Sequence, residues 1–134
     1  MSIYEGILFL KRNPTLLDIC AHHCNGTAYL SNKLGYNYEI RINEELSDNE
    51  RIKTLIHEIL HFSRKFRCYL GERLSPDNPI EVEINRLSEV IFNNQPILSK
   101  FLKSRLEAFS SKTEAFKINR NHFGPYSYWV VNYN

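Results

Sequence analysis

The stretch from Ser47 to Phe66 constrains the fold of this chain more than any other. Ser47-Asp48-Asn49-Glu50 has the form of a capping box. The serine hydroxyl can accept the backbone N–H three residues on, and the Glu50 side chain can reach back. Behind it, Ile52, Leu55, Ile56, Ile59 and Leu60 recur at helical spacing. The pattern predicts an amphipathic helix running to about Phe66. Its apolar stripe must be covered by other elements, so the chain is expected to pack in layers around it. The chain has 134 residues, enough for one domain over 1–134 and too few for two of ordinary size.

The flanking segments supply the covering layers. Ile3 to Leu10 is apolar but too short for periodicity to separate a strand from a short helix. Asn13-Pro14 breaks it, and Thr15 to Cys24 is ambiguous. Asn25-Gly26 signals a turn, and Thr27 to Leu30 then has strand composition. Tyr36 to Ile42 alternates apolar and polar residues, the period of a half-buried strand, and completes an antiparallel hairpin. Pro79 suits the first position of a second helix capped by Asn78, with Ile80, Ile84, Leu87 and Ile91 as its stripe. Asn93-Asn94-Gln95-Pro96 ends that helix, and Ile97 to Ala108 forms a third. Tyr126 to Tyr133 again has strand composition. The expected class is α+β, with a small antiparallel sheet packed on about three helices.

His57-Glu58-Ile59-Leu60-His61 lies in the middle of the strongest helix. Residues i and i+4 stand one above the other on one helix face, about 6 Å apart along the axis. Two imidazoles so placed can direct nitrogens to one Zn²⁺ at about 2.0–2.1 Å. Glu58 is rotated away from such an ion. It can hydrogen-bond a water whose pKa the metal lowers toward about 7, and take its proton during attack on a carbonyl. The chain has only 5 histidines, so composition alone does not produce the motif.

A catalytic zinc site keeps three protein ligands and one open position. The next histidine, His122, is too far downstream for a compact three-histidine motif. A carboxylate on the second helix is the expected third ligand, and Glu81 and Glu83 compete. At about 100° per residue, Glu83 lies about 60° from the centre of a stripe drawn through Ile80, Ile84, Leu87, Val90 and Ile91, and Glu81 about 110°. On this reckoning Glu83 borders the buried face, Glu81 turns toward solvent, and Arg86 is a candidate partner behind the ligands.

At this point the residues resemble a known family. A strand over Tyr38 to Asn43, the loop Glu44-Glu45-Leu46 and Thr54 to His61 are similar to the zinc metallopeptidases of the ImmA/IrrE type. The second signature of that family reads approximately E-A-N-x-F-A-x-x-L-L-M-P, and Glu83 to Phe92 follows it in register, with Ile84 and Ser88 in place of alanines. The resemblance covers roughly residues 27 to 96. It implies a zincin-like domain, a zinc site with Glu83 as third ligand, and peptide-bond hydrolysis with Glu58 as general base. The implied partner is a protein or peptide substrate such as a transcriptional repressor. The edge strand, expected at Tyr36 to Ile42, would pair with an extended peptide. Two rivals are a non-catalytic interaction protein that keeps the fold and its zinc, and a helical binding module with a chance motif.

Other features narrow the classes. A net charge of +2 gives no general footprint for nucleic acid or an anionic membrane. No apolar run approaches the roughly 18 residues of a membrane helix. Gly6 to Leu10 lacks the flanks of a secretory signal, and the 3 cysteines follow no disulfide framework, so a cytoplasmic location is expected. Cys20-Ala21-His22-His23-Cys24 could contribute to a second metal site but lacks a completing pair downstream. His122, Tyr126 and Tyr128 could polarise an oxyanion, but ordinary core and turn roles are the favoured account of them.

Overall fold

The computed structural model describes residues 2–22, 24–70, 74–110 and 129–131. The first apolar segment is a helix, α1 (Ser2–Arg12). Ile3, Ile7 and Leu10 recur at helical spacing and are buried. Lys11 and Arg12 complement the dipole of its last turn. Asn13 closes the helix by donating from Nδ2 to the Phe9 carbonyl at 2.8 Å.

Three strands follow: β1 (Thr15–Cys20), β2 (Gly26–Leu30) and β3 (Tyr38–Asn43). A short β4 (Trp129–Val131) joins them, and the spatial order is β2-β3-β1-β4. The β2–β3 hairpin is antiparallel, with Gly26 opposite Ile42 and Leu30 opposite Tyr38. The pairs β1–β3 and β1–β4 are parallel. The sheet is therefore mixed, not antiparallel as expected. The chain leaves β1, runs out along β2 and returns in β3 beside β1, so the inner arm of the hairpin lies parallel to β1. A second correction follows from the same order. The strand expected at the edge is interior, and among the described residues the edge strand on that side is β2.

Side chains alternate across the sheet. Leu17, Ile40 and Ile42 join the apolar core with the helices. Glu39 and Arg41 alternate with those isoleucines and so lie on the opposite face. There the Glu39 carboxylate accepts from Arg41 Nε at 2.9 Å and is 3.7 Å from the Lys33 ammonium. Burial pushes the Glu39 carboxyl up, but hydrogen bonds from Tyr29 and Arg41 outweigh it and hold the group below its ordinary value.

The central helix, α2 (Asp48–Leu60), starts as the capping box requires, with the Ser47 hydroxyl accepting from the Glu50 N–H. It stops earlier than the apolar pattern suggests. Phe62 and Phe66 are fully buried, yet turns carry them, and a single 3-10 turn follows at Arg67–Tyr69. Ser63 Oγ donates to the Leu60 carbonyl at 2.7 Å, taking one of the orphan acceptors at the helix end. The Phe62 ring packs with Phe9 and Tyr38. Helix α3 (Pro79–Asn94) has Asn78 as cap, its Oδ1 accepting from the Ile80 N–H at 2.9 Å, and α4 (Pro96–Ser110) completes the layer. Among the described residues the class is α+β, with a mixed sheet and four α-helices. Among the described residues no helix is long and apolar enough to cross a membrane.

Candidate metal centre

Helices α2 and α3 run antiparallel and touch through a ladder of polar pairs. In order along α2 these are Lys53–Glu89, His57–Asn85 and, at its C-terminal cap, His61–Glu81, while Lys65, in the turns beyond α2, pairs with Glu83. The middle two rungs converge. His57 Nε2 lies 2.9 Å from Glu81 Oε2, His61 Nε2 lies 3.1 Å from Glu81 Oε1, and the two Nε2 atoms are 3.3 Å apart. Ligands on a tetrahedral ion with bonds of about 2.05 Å stand about 3.3 Å from one another. Each imidazole nitrogen therefore stands from the other, and from one of the two Glu81 oxygens, at about the separation of neighbouring ligands in such a shell. Among the described residues this is the one group of three or more metal-capable side chains.

Each donor is set by its element. The i, i+4 spacing stacks the two imidazoles, with ring centroids 5.1 Å apart. His57 Nδ1 lies 2.8 Å from Asn85 Oδ1. Donation from Nδ1–H to that oxygen leaves the Nε2 lone pair facing the cluster, the tautomer a metal ligand needs. Asn85 sits one helical turn beyond Glu81, so one face of α3 supplies both the carboxylate and the partner of the histidine. Sequence reasoning assigned the partner role to Arg86, which is exposed. The signal for Asn85 was its i+4 spacing from Glu81.

The charges interlock. Burial pushes the Glu81 carboxyl up, but hydrogen bonds from His57 and His61 and their positive charge bring it down to about 2. Burial disfavours a charged His57, yet the bond to Glu81 and the charges of Glu58 and Glu81 raise its pKa overall. Glu58 is 2% exposed, and burial raises its pKa. Its Oε1 is 3.9 Å from His61 Nε2, and Glu58 is not one of the three clustered donors.

Glu83, expected as the third donor, turns elsewhere. Its Oε1 pairs with the Lys65 ammonium, and Glu81 lies against the histidines in its stead. The buried residues of α3 are Ile84, Ser88 and Ile91. Glu81 continues that series one turn earlier. The predicted stripe leaned on Val90, which is exposed, and passed over Ser88, whose hydroxyl is satisfied by the Ile84 carbonyl at 2.8 Å. Measured from the observed stripe, Glu81 lies about 50° from its centre and Glu83 about 110°.

Both histidines, Glu58 and Glu81 line an open cleft of about 1050 Å³. Its second wall is β2, with Gly26, Thr27, Ala28 and Tyr29 all on the lining. Gly26 is where this wall meets α2: a Cβ there would lie 2.6 Å from Thr54 Cγ2 and 2.9 Å from the Arg41 carbonyl. Cys24 lines the same cleft, but Cys20 and Cys24 are free thiols outside the metal-capable group. His22 bonds instead with Thr27 Oγ1 at 3.3 Å. His23, His122, Tyr126 and Tyr128 lie outside the described residues. No family model, no curated protein and no solved structure matches this chain.

Proposed function

We propose that the protein is a zinc-dependent metallopeptidase, similar in its signature residues to the ImmA/IrrE type, in which His57, His61 and Glu81 hold the ion. One observation carries this reading: His57, His61 and Glu81 each bring a ligand atom within 4.8 Å of the other two, with each imidazole nitrogen against a different oxygen of Glu81, beside the buried Glu58 carboxylate. The donor set of two imidazoles and one carboxylate suits zinc with one position left open. When bound, the ion would supply Lewis acidity, polarising a carbonyl and acidifying water. The remaining work belongs to the chain. Asn85 orients His57 through Nδ1. Glu58, with its pKa raised by burial, accepts a proton from the attacking water and can return it to the leaving amine. The outer edge of β2 along the cleft offers backbone groups to an extended polypeptide. The family resemblance points to a regulatory protein, such as a repressor, as substrate.

The test is the metal content of the purified protein together with cleavage of an unfolded protein substrate. The expected result is one zinc per chain, lost in His57→Ala along with activity, and retained in Glu58→Gln while activity falls ~10²–10⁴-fold. Zinc in the wild type with no cleavage of any polypeptide would favour a non-catalytic zinc-bearing interaction protein. Absence of zinc after metal-replete purification would end the reading.

A further inference from the structure

We infer that the cleft takes an extended peptide with a bulky apolar side chain on the N-terminal side of the bond to be cut, received against the wall formed by Tyr69, Leu74 and Pro76 at the end of the cleft toward Leu30 of β2. This deepens the metallopeptidase reading and rests on it. Three observations combine.

The first is direction. Gly26, at the start of β2, packs on Thr54 and Glu58 of α2. Leu30, at its end, is opposite Tyr38, whose ring meets Phe62 just past the end of α2, at a centroid distance of 5.3 Å. Thus β2 runs the same way as α2, from the Lys53–Glu89 rung past the histidines. A peptide pairing antiparallel with β2 would have its N-terminal part at the Leu30 end and its C-terminal part at the Gly26 end.

The second is the chemistry of the two ends. Around the start of α2 the cleft is lined by Glu50, Lys53 and Glu89, all charged. Beyond His61 it is lined by Tyr69, Leu74 and Pro76. Leu30 is 67% exposed, an uncovered apolar side chain on the same strand. An apolar substrate side chain loses water at this end without stranding a charge.

The third is the edge itself. Exposed strand edges are ordinarily blunted by lysine, proline or a bulge. The β2 sequence Gly26-Thr27-Ala28-Tyr29-Leu30 carries no charge and no proline. Among the described residues no further strand pairs with the outer edge of β2, and an edge of this kind lining the cleft of a candidate active centre is suited to receiving another strand.

The experiment uses the full chain carrying Glu58→Gln, loaded with zinc, and fluorophore-labelled eight-residue peptides of alanine and threonine. A single Leu, Phe, Lys or Asp is placed at each position in turn, and binding is read by anisotropy. Wild-type enzyme then cuts the same peptides, and mass spectrometry maps the bond. The expected result is at least a tenfold preference for Leu or Phe over Lys or Asp, with the cut on the C-terminal side of the apolar residue. Tyr69→Ala should reduce the preference, and so should Leu30→Lys, an exposed change that leaves the core untouched. Zinc content should be unaltered in both variants. Equal binding of all peptides, or a cut on the N-terminal side of the apolar residue, with zinc bound and cleavage active, overturns the inference and leaves the metallopeptidase reading standing. A protein without zinc fails that reading instead.

Discussion

Exchanging Glu81 for glutamine removes the one anionic donor of the cluster and replaces one of the two oxygens, each of which faces one imidazole, with an N–H donor. Zinc affinity should fall by orders of magnitude, as read by competition with a chelating dye, because two neutral histidines remain. Glu83→Gln should leave affinity near the parent value, since it breaks only a pair with Lys65 on the surface. Asn85→Ala should fall between them, at about 10–100-fold, the usual cost of removing a group that orients a ligand. An affinity loss for Glu83→Gln exceeding that for Glu81→Gln would refute the ligand set. That His57 and His61 come together on one face, with Glu58 off it, was legible from spacing alone, because i and i+4 on a helix share a face wherever the helix packs. The choice between two glutamates was not. It depended on which side of α3 is buried, and there a serine satisfied by its own helix is buried where an exposed valine was counted.

At the scale of elements, close approaches at Gly6 and Gly26 set α1 and β2 against the histidine-bearing helix. A Cβ on Gly6 would stand 2.3 Å from the Ile59 carbonyl oxygen, so α1 crosses the histidine-bearing helix with no room for a side chain. Gly6→Ala should force the helices apart and cost about 1–3 kcal/mol, measured by denaturant unfolding. The gain in helix propensity from alanine works against this by up to ~1 kcal/mol, so a neutral or stabilising outcome would show that the crossing yields easily. Leu55, fully buried under the sheet, should lose about 2–5 kcal/mol on change to alanine. The hairpin and the helix caps could be read from sequence because each depends on residues a few positions apart: strict alternation in β3, Ser47 with Glu50, Asn78 with Pro79. The parallel pairing of β1 with β3 could not. It joins segments separated by the whole of β2, and β1 shows no clean alternation, with Thr15, Leu16 and Leu17 buried in succession.

For the whole molecule, the cluster ties stability to protons and, on the proposed zinc reading, should tie it to metal as well. His57 and Glu58 have raised pKa values in the fold, so each contributes stability that is lost as pH rises through its folded value. Glu81 is depressed to about 2 from an ordinary 4.5, so its contribution is present above 4.5 and disappears as pH falls toward 2. Without metal, the thermal midpoint should therefore peak on the acid side of neutrality, between the ordinary values of Glu81 at 4.5 and His57 at 6.5. Zinc reverses the alkaline arm. Its ligands must be deprotonated, so binding competes with the proton on His57 and strengthens as pH rises. At a free zinc concentration a hundredfold above Kd, the stabilisation is about 2.7 kcal/mol, a rise in Tm on the order of 10 °C for a domain of this size. Scanning calorimetry at pH 5 and pH 7.5, with EDTA and with zinc, checks the whole linkage. The zinc-induced rise should be large at pH 7.5 and small at pH 5, and Glu81→Gln should abolish it at both. A rise of equal size at the two pH values would mean that the ion binds somewhere other than among His57, His61 and Glu81.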